Sequence, residues 1–252
     1  MRLAEPFDLV GDDDIGAVCV HGFTGTPYEM RYLGEQLSRA GISVDAPQLP
    51  GHGTTIDELD RTRWQDWVDA VERAVDAMRA RTQRVVLVGQ SLGGLLALYV
   101  ASRRRHIARV AVLATPLWLA GIAGKLAPLL VRQRLVRALP KLGGSDVRDR
   151  RVRAENPCYP AIPFRALGEL LAFMPIVDAA LTDVTQPVLV LHAKHDHTAP
   201  VACAHRIAER TQAHRLRILP RSFHLIAADV ERDIVAAEVI TFVRQGELSC
   251  VT

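Results

Sequence analysis

The chain has 252 residues, of which 49% are hydrophobic and 23% are charged. These values are typical of a soluble globular protein with a sizeable core, built as one large domain or as one domain with an inserted subdomain. The formal net charge of +3 is too small to indicate a nucleic-acid partner.

Short apolar runs alternate with longer amphipathic stretches, which is typical of βαβ units and a parallel sheet. The runs that predict strands are Ala17–His21, Ile42–Ala46, Val85–Val88, Val110–Ala114, Val188–His192 and Leu216–Leu219. The stretches that predict helices are Pro27–Ala40, Trp64–Arg81, Leu92–Arg103, Val201–Thr211 and Val230–Gln245. The sequence therefore predicts an α/β fold with a mostly parallel central sheet flanked by helices.

The alternation stops between Pro116 and Leu181. Helical patches separated by proline and glycine occupy this block, and no strand is predicted in it. We expect a helical cap, residues 116–181, inserted into a core formed by residues 1–115 and 182–252.

The cysteines and the amino terminus indicate the compartment. The cysteines form no Cys-x-x-Cys pair and their spacing suggests neither a zinc site nor a disulfide framework; they are Cys19, Cys158, Cys203 and Cys250. The first 14 residues lack the apolar stretch of a signal peptide, and the longest apolar run, Leu92–Ala101, is too short to span a bilayer. We expect a cytoplasmic location; export by a route that needs no leader is the alternative.

A candidate nucleophile lies between a predicted strand and a predicted helix. Gly89–Gly93 has the pattern Gly-x-Ser-x-Gly, in which the glycines allow a turn too tight for bulkier residues. Such a turn exposes a serine Oγ at the carboxyl end of a strand and aims a helix N-terminus at developing negative charge. The pattern predicts Ser91 as the nucleophile; the alternative is a glycine-rich turn of structural purpose.

A serine hydroxyl is a weak nucleophile and needs a base within hydrogen-bond reach. His224 is the last of nine histidines and lies in the loop between the strand Leu216–Leu219 and the final helix. Because nucleophile, acid and histidine follow in this chain order in hydrolases with such a turn, His224 is the predicted general base. The alternative is a loop histidine that only packs.

The carboxylate that would orient the base should follow the preceding strand. Asp196 is the only acid in the loop after Val188–His192, and it would bond Nδ1–H of His224. Asp183 and Asp229 are alternatives, although Asp183 precedes the strand and Asp229 suits the N-terminus of the last helix. The flanking histidines are weak evidence for a metal site.

Backbone donors for a tetrahedral oxygen are predicted in two places. The segment His21–Gly25 follows the first predicted strand and contributes the N–H of Phe23, and the residue after the nucleophile contributes the N–H of Leu92. An ordinary Gly-containing turn is the alternative for the first segment. His21 and His52 are predicted to hydrogen-bond neighbouring loops rather than to transfer protons.

Together these segments resemble the α/β-hydrolase superfamily and, within it, small bacterial carboxylesterases and monoacylglycerol lipases. The matching segments are His21–Thr26, Gly51–Gly53, Trp64, Trp67, Ser91–Gly94, Ala193–Asp196 and Ser222–Ile226. The resemblance implies hydrolysis of small-molecule carboxylic esters of short to medium acyl chains, including monoacylglycerols, through an acyl-enzyme and without a cofactor or metal.

The resemblance does not extend to the cap, which is arginine-rich. Its basic residues are Lys125, Arg132, Arg134, Arg137, Lys141, Arg148, Arg150, Arg151 and Arg153, opposed only by Asp146 and Asp149. They form either a solvated face or a surface that attracts an anionic substrate or a membrane. Apolar cap residues are predicted to line an acyl pocket or to hold the cap to the core: Leu117, Trp118, Leu119, Leu126, Leu129, Leu130, Leu170, Leu171, Phe173 and Met174.

Two other kinds of function remain open on the sequence. The same fold hosts amide or peptide hydrolysis, C–C bond hydrolysis and cofactor-free peroxidation, since a fold does not determine a reaction. A non-catalytic ligand-binding protein on a hydrolase scaffold is the other alternative.

Overall fold

A seven-stranded sheet forms the centre of the protein, which is described here by a computed structural model covering residues 4–121, 127, 129, 138–141 and 144–245. In chain order the strands of the sheet are β1 (Phe7–Leu9), β2 (Ile15–Val20), β3 (Ser43–Ala46), β4 (Arg84–Gln90), β5 (Ile107–Leu113), β8 (Val188–Ala193) and β9 (Arg215–Leu219). Their spatial order is β1-β3-β2-β4-β5-β8-β9. Only β1 runs antiparallel to its neighbour, β3. The mostly parallel α/β fold is therefore confirmed.

The described helices connect and cover these strands. They are α1 (Tyr28–Arg39), α2 (Ile56–Leu59), α3 (Trp64–Arg79), α4 (Leu92–Arg103), α5 (Arg150–Glu155), α6 (Phe164–Ala180), α7 (Val201–Arg210) and α8 (Arg232–Arg244). A 3₁₀ turn, Leu181–Asp183, precedes β8. The predicted elements of the core agree with these bounds to within a few residues.

Both faces of the sheet are buried, which explains why its central strands are continuous apolar runs rather than alternating ones. Along β4, Val85 and Leu87 belong to the core on the side of α3, α4 and α7, whereas Val86 and Val88 pack with α1 and α8 on the other side. Burial of apolar side chains on two faces is the main favourable term in the stability of such a sheet.

The parallel arrangement brings the ends of several strands to one edge. Gln90 at the end of β4 pairs with Leu113 of β5, which in turn pairs with Leu191 of β8. Ala193, at the end of β8, pairs with Leu219 at the end of β9. The loops that follow β2, β4, β8 and β9 therefore leave the sheet at the same carboxyl edge.

The strand β1 is not predicted from the sequence. It has three residues and pairs antiparallel with β3, Phe7 facing Ala46 and Leu9 facing Val44. A run this short shows no period that distinguishes it from a loop, and its pairing depends on a strand more than 30 residues away.

The block 116–181 contains strands, so the expectation of no strand in it is wrong. β6 (Ala138–Pro140) and β7 (Ala161–Pro163) form a separate antiparallel ribbon in which Leu139 pairs with Ile162. Each strand has three residues and ends in proline, which leaves no alternating pattern in the sequence.

The last helix of the block packs against the core. Phe173 of α6 stacks on Trp64 of α3, with ring centroids 5.0 Å apart, and contacts Tyr99 of α4 edge to face.

Several other predicted cap residues, and Cys250, lie outside the described residues: Lys125, Leu126, Leu130, Arg132, Arg134 and Arg137. Among the helices described, none is long and apolar enough to cross a membrane.

Candidate active site

Ser91 occupies a sharp turn between β4 and α4. Its backbone has φ 56° and ψ −116°, a left-handed conformation that is strained for a residue with a side chain. The turn requires close backbone approach, because a Cβ at Gly89 would collide with the carbonyl of Gly93 and a Cβ at Gly93 would collide with the carbonyl of Val20. The glycines of the motif are therefore needed sterically.

Three predicted site residues from distant parts of the chain lie in one hydrogen-bonded row. Nε2 of His224 is 2.9 Å from Oγ of Ser91, and Nδ1 of His224 is 2.8 Å from Oδ2 of Asp196. With an ionised carboxylate, Nδ1–H donates to Asp196 and Nε2 accepts from the serine hydroxyl. All three side chains are almost inaccessible to solvent.

The electrostatics of the row shift the pKa values of His224 and Asp196 in opposite directions, each toward the charged form of its group. Burial opposes ionisation of His224, but the Asp196 charge and hydrogen bond raise the pKa of His224 above its ordinary value. Burial likewise acts to raise the pKa of Asp196, yet the charge and hydrogen bond of His224 bring it below the usual range. The backbone N–H groups of Thr198 and Ala199 donate to Oδ1 of Asp196 at 2.8 and 2.7 Å and stabilise the carboxylate further.

The loop after β2 lies beside Ser91. A Cβ added at Gly22 would be 3.2 Å from Cβ of Ser91, so the segment that carries the Phe23 N–H borders the serine directly. Leu92 is the first residue of α4, where an N–H has no acceptor within its own helix. Both predicted backbone donors therefore belong to segments that meet at Ser91.

His21 and His52 lie behind this loop. Nε2 of His21 accepts from the N–H of Leu49 at 3.2 Å, and Nδ1 donates to the carbonyl of Gly22. Burial lowers the pKa of His21 to about 4 and lowers that of His52 as well, so both rings are neutral at pH 7. The bonds of His21 between neighbouring loops agree with the structural role predicted for it.

Glu29 supports the loop after β2 and is not predicted as a site residue. Its Oε2 accepts from the N–H of Gly22 at 2.9 Å, and its carboxylate occupies the space next to Gly25. Burial raises the pKa of Glu29. A buried acid near the start of α1 gives no sequence pattern that indicates such a contact.

Gln90, directly before Ser91, connects β4 to the loop of His224. Its side-chain amide donates to the carbonyl of His224 at 3.0 Å and accepts from the N–H of Ala227 at 3.3 Å. Gln90 is fully buried. One side chain therefore fixes the distance between the strand that carries Ser91 and the loop that carries the histidine.

Asp229 has different main partners from those expected at the N-terminus of the last helix. Its carboxylate accepts from the N–H groups of Phe223, Arg148 and Asp149 at 2.7 to 3.0 Å, and from that of Val230. It thus joins the loop of His224 to residues 148 and 149. Asp183, the other alternative acid, lies in the 3₁₀ turn before β8, at the opposite end of that strand from Asp196.

The described basic residues of the arginine-rich stretch are mostly engaged within the chain. Arg148 and Arg153 donate to the carbonyls of Arg221 and Val147, Arg151 pairs with Glu155, and Nζ of Lys141 donates to Oγ1 of Thr24. The contacts of Arg148 and Lys141 hold the block to loops of the site, whereas those of Arg151 and Arg153 lie within the block. Attraction of this surface to an anionic substrate or a membrane stays a prediction.

The apolar residues of the block divide into two groups. Leu170, Phe173 and Met174 are buried in the same cluster as the strands and therefore hold α6 to the core. Trp118 and Leu129 are exposed.

Comparisons with known proteins agree on the fold and the family. Residues 15–231 match the Hydrolase_4 family, serine aminopeptidase S33. The chain is 31% identical to the thermostable monoacylglycerol lipase of Bacillus sp. (strain H-257), over 95% of this chain and 94% of the relative. It is 26% identical to a carboxylesterase of Bacillus subtilis (strain 168), over 96% of both chains.

A solved structure from work on LipS and LipT, two metagenome-derived lipolytic enzymes, superposes with a TM-score of 0.90 and 28% identity over 97% of this chain and 98% of its own. The match of one family over most of the sequence and this superposition lead to the same assignment. The chain belongs to the Hydrolase_4 (serine aminopeptidase S33) family of the α/β-hydrolase superfamily.

Proposed function

We propose that this protein is a serine carboxylesterase that hydrolyses carboxylic esters of short to medium acyl chains, including monoacylglycerols. The observation that carries the proposal is the row Ser91–His224–Asp196, in which both hydrogen bonds are shorter than 3 Å. The names of the relatives at 31% and 26% identity, a monoacylglycerol lipase and a carboxylesterase, favour an ester over an amide as the substrate.

In the first step, Oγ of Ser91 attacks the ester carbonyl carbon while Nε2 of His224 takes the hydroxyl proton. The imidazolium that forms is stabilised by Asp196, which also holds the ring in the tautomer required for proton uptake. The N–H groups of Phe23 and Leu92 donate to the tetrahedral oxyanion. His224 then protonates the departing alkoxide, and an alcohol leaves with the acyl group bound to Ser91.

In the second step, His224 takes a proton from water as the water oxygen attacks the acyl carbon. The second tetrahedral intermediate collapses, and His224 returns the proton to Oγ of Ser91. The products are the carboxylic acid and the free enzyme, so no group is consumed other than ester and water.

Residues 116–181 form the cap of the proposed enzyme. The block begins after β5 and ends just before β8, so it is inserted between two strands that pair with each other. Its residue Tyr159 donates a backbone N–H to the carbonyl of Thr24, in the loop beside Ser91. A cap in this position would border the acyl and alcohol groups of a substrate.

Replacing Ser91→Ala tests the proposal. We expect kcat on p-nitrophenyl butyrate to fall by on the order of 10⁶, since the other groups of a triad contribute little without the nucleophile. Ser102→Ala is the matched control, because this serine lies on α4 and donates only to the carbonyl of Tyr99. Activity of the Ser91→Ala enzyme within about tenfold of wild type would refute the assignment.

A substrate panel separates the proposed reaction from its alternatives. We expect kcat/KM to be highest for p-nitrophenyl esters of short to medium acyl chains and for monoacylglycerols, and far lower for aminoacyl p-nitroanilides. A preference for the anilides would replace the proposal by aminopeptidase activity. Labelling of Ser91 by a fluorophosphonate without turnover of any ester would favour a ligand-binding protein.

A further inference from the structure

The segment Ser145–Asp149 lies between the loop that carries Asp196 and the loop that carries His224, and it is part of neither loop. The carboxylate of Asp146 binds the first loop through three contacts. It accepts from the backbone N–H of His197 at 3.1 Å, from Nδ1 of His197 at 2.8 Å and from Oγ1 of Thr198 at 3.2 Å. Only 21% of the Asp146 side chain is exposed.

The same segment binds the second loop from its other side. The carbonyl of Asp146 accepts from the N–H of Leu225 at 3.1 Å. The carboxylate of Asp229 joins the N–H groups of Arg148 and Asp149 to that of Phe223. Phe223 and Leu225 flank His224, so the backbone on both sides of the histidine is attached to the segment.

These contacts are one residue away from Asp196, a member of the row Ser91–His224–Asp196, which we call the proposed relay. Thr198, whose hydroxyl donates to Asp146, uses its own N–H to bind Oδ1 of Asp196 at 2.8 Å. A shift of this loop would therefore move the acceptor of Nδ1–H, and a misplacement of about 1 Å in a catalytic site can cost on the order of 100-fold in rate.

The charge of Asp146 also acts on His224. Asp196 raises the pKa of His224 most strongly, and Asp146 and Glu29 raise it further. His192, which lies on β8, is a second imidazole beside Asp196, with its Nε2 3.4 Å from Oδ2 of that carboxylate; burial lowers the pKa of His192. The carboxylate of Asp146 therefore favours the imidazolium that the proposed reaction requires.

We propose that Asp146 is a positioning residue of the proposed relay, holding the Asp196 loop and the His224 loop together from an element outside the central sheet. This inference rests on the proposed function for its effect on turnover. Its effect on the histidine is measurable without any substrate, so the two can fail separately.

The test compares Asp146→Asn with Asp149→Asn. Both variants remove one negative charge from the same segment, but the Asp149 side chain accepts only from N–H groups of α5, a role that asparagine also fills. We expect Asp146→Asn to lower the pKa of His224, which is measured by NMR titration of ¹³C-labelled histidine. We also expect kcat per fluorophosphonate-titrated site to fall on the order of tenfold, whereas Asp149→Asn leaves both values at wild type.

Two further variants separate charge from geometry. Asp146→Glu keeps the charge in a displaced position, and we expect it to lower kcat with little change in the pKa of His224. Thr198→Val removes one contact without changing a charge, and it provides the test if Asp146→Asn does not fold. The inference would be overturned if Asp146→Asn had both the wild-type pKa of His224 and the wild-type kcat. A wild-type kcat in Thr198→Val would overturn it as well.

The failure of the proposed function looks different. If Ser91→Ala retained ester hydrolysis while Asp146→Asn still lowered the pKa of His224, the catalytic assignment would fall and the positioning of His224 by Asp146 would stand.

Discussion

The carboxyl edge of the sheet and the block of residues 116–181 position side chains in different ways. At the sheet edge, β4, β8 and β9 end at the same side of the sheet, with β5 between β4 and β8, and the strand register brings the loops of Ser91, Asp196 and His224 close to one another. The described part of the block contains a ribbon of two three-residue strands and the helices α5 and α6, and it reaches the same loops through individual side chains such as Asp146 and Lys141.

The proposed chemistry therefore depends on two kinds of support. The sheet supplies backbone positions that tolerate most side-chain changes, because ladder hydrogen bonds and apolar burial maintain them. The block supplies hydrogen bonds that each depend on one residue. We therefore expect substitutions to lower turnover more strongly the closer they lie to Ser91, His224 and Asp196, and to lower stability more strongly the more deeply the side chain is buried.

The largest effect among the supporting residues is expected at the acid. Asp196→Asn leaves the shape of the side chain but removes the charge that stabilises the imidazolium and selects its tautomer, so kcat should fall by on the order of 10⁴. Asp183→Asn, at the other end of β8, should retain wild-type kcat in the same ester assay. Equal losses of kcat in the two variants would contradict the assignment of Asp196 as the acid that orients His224.

An intermediate effect is expected at Gln90. Gln90→Leu leaves the carbonyl of His224 and the N–H of Ala227 without their buried partner, which should lower the free energy of unfolding by about 2 kcal/mol. It should also lower kcat on the order of tenfold, because the His224 loop is released from β4.

Gln186→Leu is the matched control for this prediction. Gln186 is also buried and also donates to backbone carbonyls, those of Ala101 and Arg104, far from the relay. Urea denaturation should show a similar loss of stability in both variants, with kcat reduced in Gln90→Leu alone. A wild-type kcat in Gln90→Leu would show that turnover does not depend on the contact of Gln90 with the His224 loop.

The smallest effect is expected at Asp45, which lies on β3, on the other side of β4 from β8 and β9 in the strand order. Burial, and to a lesser extent the charge of Asp8, raise the pKa of Asp45 to about 6. Since this value exceeds that of an unfolded aspartate, the native state binds the proton more tightly and the wild type loses stability as pH rises from about 4 to about 6.

Asp45→Asn should therefore be more stable than wild type by about 1 kcal/mol at pH 8, after allowance for solvent screening, and equal to it near pH 4. Thermal or urea unfolding at the two pH values measures the difference, with the exposed Asp69→Asn as control. Turnover should be unchanged. A stability gain that is the same at both pH values would contradict the assignment of the raised pKa to Asp45.

The sequence predicts the sheet and the three residues of the relay for a physical reason. Buried parallel strands are continuous apolar runs, and loops after such strands meet at one edge, so Ser91, Asp196 and His224 can be placed together without coordinates. Their mutual distances agree with that placement, while their roles in turnover stay predictions until the variants are measured.

The supporting residues could not be predicted in the same way. Gln90 and the carbonyl it binds are separated by 134 residues, and Asp146 and His197 by 51, with no period or motif connecting either pair. The local charge pattern places Asp229 at the N-terminus of the last helix, whereas its carboxylate also accepts from the N–H groups of Arg148 and Asp149 in a distant segment. Single polar contacts across the fold leave no pattern in the sequence.

Titration of the enzyme with a fluorophosphonate, with ester turnover and the labelled residue followed in the same samples, tests whether Ser91 is the nucleophile. We expect one equivalent to form a covalent bond to Oγ of Ser91, identified by peptide mass spectrometry, and turnover of p-nitrophenyl butyrate to decline in strict proportion to labelling. Turnover that survives complete labelling of Ser91, or inactivation through a different residue, would contradict the account.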